Sequence, residues 1–93
     1  MNAAAVHLPD IRFSQYCLAT YRLNRGVYNA IDMWLYDNGY RSVEERRALT
    51  LAFLDASRRS EPMAEGTKFY TFGKGNLVER LAQFVQEAGA PTA

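Results

Sequence analysis

The chain has one cysteine, one histidine and two lysines among its 93 residues. A single cysteine, Cys17, excludes an internal disulfide and fits a reducing compartment or a thiol packed as a small hydrophobe. The lone histidine, His7, lies in a weakly patterned N-terminal stretch. A catalytic triad, a His–Cys pair or a two-histidine metal site therefore cannot be built within one chain. Carboxylates such as Glu44 and Glu45 are adjacent on a helix and point about 100° apart, which does not suit paired acid–base work. No catalytic residue, metal site or cofactor is expected, and the chain reads as non-enzymatic. No apolar run approaches the roughly 18 residues of a membrane span. The first residues lack the basic flank and apolar run of a signal peptide, so the expected location is cytoplasmic. A net charge of +1 gives no global field toward nucleic acid or an anionic membrane.

What the chain has in quantity is apolar and aromatic surface, 48% and 13% of residues. That is enough for one small core, so residues 1–93 read as one helical domain with a loose arm at 1–9 and a tail at 90–93. Val27 to Tyr36 holds the only tryptophan. At 100° per residue, Val27, Ala30, Ile31, Trp34 and Leu35 share a face. This segment reads as the central helix. Before it, Phe13, Tyr16, Cys17, Thr20 and Tyr21 form the inner face of a helix from Asp10, its expected cap, to about Leu23. Asn24-Arg25-Gly26 breaks the pattern, and Gly26 suits a left-handed C-cap.

Asp37-Asn38-Gly39 stops the central helix. Ser42-Val43-Glu44-Glu45 has the Ser-x-x-Glu form of a capping box and opens a third helix to about Arg59. Asp55 is placed to pair with Arg58 and Arg59 along it. Thr67 to Phe72 is β-branched and aromatic, so a short β segment, or an extended stretch packing Phe69 and Phe72, is expected there. Asn76-Leu77-Val78-Glu79 begins a fourth helix with the stripe Leu77, Val78, Leu81, Phe84, Val85 and Ala88. The fold class is mostly α: a compact bundle of about four helices.

Two surfaces stand out. On the central helix Tyr28, Asp32 and Tyr36 lie four apart and form one ridge, with Met33 beside it. On the third helix Ala48, Leu49, Ala52, Phe53 and Ala56 make one apolar face, and Val43, Leu51 and Leu54 make an opposite one flanked by Arg47 and Arg58. Either that helix is sandwiched between two layers, or its second face meets a partner. The leading expectation is a protein-binding module: an inhibitor, adaptor or regulator of a larger protein. Among chains this small, that class includes anti-defence proteins of phages and mobile elements. Tyr28, Asp32, Met33, Tyr36, Arg47, Leu51, Leu54 and Arg58 are its anchors. A homodimer seam would use the same chemistry. The alternative is a nucleic-acid-binding regulator using Arg41, Arg46, Arg47, Arg58 and Arg59. Arginine, nine against two lysines, suits planar and stacked contacts, although a coding bias produces the same excess. A weaker signal is Gly73-Lys74-Gly75 ahead of the last helix, where a turn and a lysine could hold an anion; a plain turn and cap is the simpler account of it.

Overall fold

In a computed structural model, residues 3–72 and 76–88 are described. Ser42 begins the element that everything else packs on. Its backbone is extended and its hydroxyl accepts from the Glu45 N–H at 3.2 Å. This satisfies one of the free donors of the helix start and sets the boundary that the sequence indicates. The helix runs Val43–Ser60 and is called α3 below. Glu44 and Glu45 in its first turn and Arg58 and Arg59 in its last complement the helix dipole. α1 is Asp10–Tyr21, α2 is Arg25–Asp37 and α4 is Leu77–Glu87. The described residues contain four α-helices, one 3-10 turn at Ala3–His7 and no strand.

α3 touches the 3-10 turn and each of the other helices, and α2 touches α1, α3 and α4. The core is built from Phe13, Cys17 and Tyr21 of α1, Ile31 and Leu35 of α2, Leu51, Phe53 and Leu54 of α3, and Leu81 and Val85 of α4. Both apolar faces of α3 are thus occupied: Leu51 is 1% exposed and Leu54 0%. The helix is the sandwiched one. Leu51 and Leu54 are core, which removes them as a docking face. The Cα radius of gyration is 12.6 Å, the size of a compact chain of this length.

Several local expectations are corrected. Asp10 is the first residue of α1 rather than its cap: Pro9 holds the cap position and no side chain caps the helix. α1 ends at Tyr21 because Arg22 takes the left-handed conformation (φ 60°, ψ 42°) and returns its N–H to Leu18. Gly26 is not the C-cap: it lies inside α2, whose N-cap is Asn24, with the side chain accepting from the Val27 N–H at 2.8 Å. Asn76 makes no side-chain cap bond at α4.

The arm expected to be loose is packed. Ala5 is buried, and Val6 and Leu8 lie against the core. Thr67 to Phe72 forms no strand; Tyr70 and Phe72 are buried while Phe69 is exposed. Tyr70 is fixed by its N–H to Arg22 O (3.0 Å) and its hydroxyl to Ser57 O (2.7 Å). The anion candidate Gly73, Lys74 and Gly75 and the tail at 90–93 lie outside the described residues.

Burial pushes the Cys17 thiol up to about 12, with the Arg47 charge partly opposing, and pushes the Tyr28 hydroxyl up to about 12 for the same first reason. Both are held neutral in the folded state. From the ordinary values of 9.0 and 10.0 up to about 12, the unfolded chain releases protons that the native chain keeps. Stability is therefore unaffected by these groups below about pH 9 and falls as pH rises above it. Thermal melts at pH 8 and pH 10.5 should show a lower midpoint at the higher pH; equal midpoints would contradict the placement of the buried Cys17 thiol and the half-buried Tyr28 hydroxyl.

Candidate nucleic-acid interface

The four-residue spacing of Tyr28, Asp32 and Tyr36 places them along one side of α2, and the starts of α1 and α3 lie against it. Tyr28 packs on Phe13 of α1, ring centroids 6.2 Å apart. Asp32 accepts from Arg46 Nε at 2.8 Å. The Tyr36 ring carries two guanidinium groups, Arg41 at 4.3 Å and Arg46 at 5.2 Å from its centroid. The ridge is thus partnered inside the chain, by residues that the sequence had assigned to a different surface.

Arg46 is anchored in four ways. Besides Asp32 and Tyr36, it donates to the carbonyls of Tyr40 and Arg41, each at 3.0 Å. A flat guanidinium with five N–H donors can meet all of these at once; a lysine cannot. Arg41 donates from Nε to Tyr36 O at 3.0 Å, which holds its head group over the ring. Tyr36 remains 45% exposed and Met33, one turn earlier, 62%. The result is an outward patch of an aromatic ring, a thioether and the Arg41 guanidinium, with Arg46, its side chain 12% exposed, bracing it from beneath.

Arg47 does something else. It is 9% exposed. Its guanidinium donates to the carbonyls of Val6 and Leu8 and to the Asp10 carboxylate, and lies 4.7 Å from the Phe13 centroid. It pins the N-terminal turn onto α3. As a partner anchor or a nucleic-acid contact it is corrected to a structural residue, because its donors are spent inside. The sequence carries a trace of this: Arg47 sits on the stripe of Leu51 and Leu54, where a solvent-facing residue is out of place.

Arg58 and Arg59 are twelve or more residues beyond Arg46, about 18 Å along the helix axis. Arg58 lies over the Tyr70 ring at 5.5 Å, and Arg59 is exposed. The five arginines expected to form one patch are therefore divided among three places. Sequence reasoning also missed Arg25, exposed at the first turn of α2, and Ile11, exposed on α1.

Between the starts of α1, α2 and α3 is an open cleft of about 420 Å³. Ile11, Arg25, Tyr28, Val43, Arg46 and Arg47 line it, together with the carboxylates Asp10 and Asp32. It adjoins the Tyr36 patch through Arg46. Among the described residues there is no group of three or more His, Cys, Asp or Glu placed to hold a metal, and no helix is long and apolar enough to cross a membrane.

No family model and no solved structure matches the chain. It is similar to the RNA-binding riboflavin kinase RibR of Bacillus subtilis (strain 168), with 38% identity over 80 residues. That alignment covers 86% of this chain and 34% of the relative. The chain thus spans about a third of the relative's length.

Proposed function

We propose that the chain is an RNA-binding module, and that the α2–α3 side carrying Arg25, Tyr36 and Arg41, braced by Arg46, is its RNA-binding face. The observation that carries this reading is the similarity to a protein described as RNA-binding over nearly the whole of this chain. The geometry agrees with it chemically. An exposed ring beside arginines is the arrangement on which unstacked bases and phosphates are held. The reading is non-enzymatic: the single histidine is a surface group 3.5 Å from Glu44, and the single thiol is buried. The kinase activity in the relative's name is not carried over to this chain.

Exposed contacts to phosphate come from Arg25 and Arg41, with Arg46 behind them. Two to three phosphates at roughly 0.7 per contact give a salt slope of about −1.5 to −2 for single-stranded RNA. Fluorescence anisotropy with a mixed-sequence single strand should therefore show affinity falling about 7- to 20-fold between 50 and 200 mM salt. Absent binding, or binding indifferent to salt, would refute the reading. A second reading, protein binding, keeps only Met33 and Tyr36 as exposed anchors on the ridge.

A further inference from the structure

We propose that the cleft between α1, α2 and α3 receives a single unpaired nucleotide, so that the module selects single-stranded or looped RNA over uninterrupted duplex. This rests on the RNA-binding reading and specifies what the same face recognises.

The cleft's composition suits a nucleotide better than a bare phosphate. Two exposed aliphatic side chains, Ile11 at 65% and Val43 at 47%, line it. Such side chains at a cleft wall match the flat faces of a base. The charged lining is mixed: Arg25, Arg46 and Arg47 stand with Asp10 and Asp32, and Arg46–Asp32 and Arg47–Asp10 are ion pairs. Each pair uses one carboxylate oxygen, and a carboxylate at such a wall accepts hydrogen bonds from the amino groups of a base edge, as Asp and Glu do with cytosine N4, which a bare phosphate does not offer. Arg25 is exposed and lines the cleft, where it can meet a backbone phosphate.

The size also fits. About 420 Å³ lies within the roughly 300–1,000 Å³ of sites that hold small molecules. The arginines that shape the cleft are already ordered. Arg46 is tied to Asp32, Tyr40 and Arg41, and Arg47 to Val6, Leu8 and Asp10, so little side-chain freedom is lost on binding. A base paired inside an A-form helix cannot enter such a cleft. An unpaired one can be turned into it while its neighbour stacks on Tyr36.

The test uses the full chain and two RNAs of equal length, one single-stranded and one fully paired, titrated by anisotropy with wild type, Ile11→Asp and Val43→Ala. Both substituted positions are exposed, and circular dichroism checks that each variant is folded. Wild type should bind the single strand about tenfold or more tighter than the duplex. Ile11→Asp and Val43→Ala should each shrink that preference while leaving duplex binding in place. Equal affinity for the two RNAs, or a preference that neither variant changes, would overturn the cleft assignment and leave the RNA-binding reading standing. Binding to neither RNA would overturn both.

Discussion

Replacing Phe53 by alanine is expected to destabilise the protein by about 3–5 kcal/mol, the usual cost of emptying a fully packed phenylalanine site. Phe53 joins α3 to two other parts of the chain. Its ring stacks on Phe72 with centroids 5.3 Å apart and planes within 2°, and meets Phe84 of α4 at 5.6 Å. Tyr70 in turn lies edge-on to Phe72 at 4.6 Å. These contacts keep Phe72 in a left-handed conformation, φ 55°, that a bulky side chain adopts only when held there. Removing Phe53 leaves a cavity and also releases that restraint. A domain of this size has on the order of 5–14 kcal/mol of total stability, so the loss is a large share of it. The melting midpoint should fall by roughly 15–30 °C. Met33→Ala, on an exposed side chain of α2, should stay within about 0.5 kcal/mol. Equal effects from the two substitutions in urea titrations would mean that the aromatic cluster is not the joint between α3 and α4.

The double charge reversal Arg25→Glu with Arg41→Glu should weaken binding to single-stranded RNA by roughly 30-fold or more at low salt and flatten the salt dependence. Both side chains are exposed, so the fold should be retained. Arg41 adds a second loss, because it lies over the Tyr36 ring and donates to the Tyr36 carbonyl, and its own flat guanidinium is part of the stacking surface. Arg59→Glu, about a helix length away at the end of α3, is the distant single-reversal control and should cost at most a few-fold through the general field. Titration of the three proteins with one RNA at two salt concentrations decides this. An equal loss from Arg59→Glu and from the double variant would place the RNA on another face or on none.

The helix pattern was legible where period and punctuation agreed. Ser42 with Glu45 marks the start of α3, and Ile31 and Leu35 mark the buried side of α2, because capping and burial are written in local residue choice. The junction between α1 and α2 was misread for a physical reason. Glycine is the default residue for a left-handed cap, but Arg22 takes that conformation here and leaves Gly26 free to enter α2 behind the Asn24 cap. Thr67 to Phe72 looks like a strand because aromatic and β-branched residues suit any half-buried extended backbone; with no strand among the described residues to pair with, it is held instead by rings and by Ser57 and Arg22. The arm at 3–8 looks unstructured because what orders it is Arg47, some forty residues away. The same non-locality hid the site. Sequence places Asp32 on one surface and Arg46 on another, and only folding makes them partners. An arginine count cannot separate a guanidinium spent on carbonyls, such as Arg47, from one that faces solvent, such as Arg25.

The most direct test of the RNA-binding face is a nuclear magnetic resonance titration of the isotope-labelled chain with a short single-stranded RNA. Amide shifts concentrated at residues 25–46 and at Ile11, with Ser57, Arg59 and Gln83 unmoved, are the predicted result. Shifts centred on the α3–α4 side, or no shifts at saturating RNA, would contradict it.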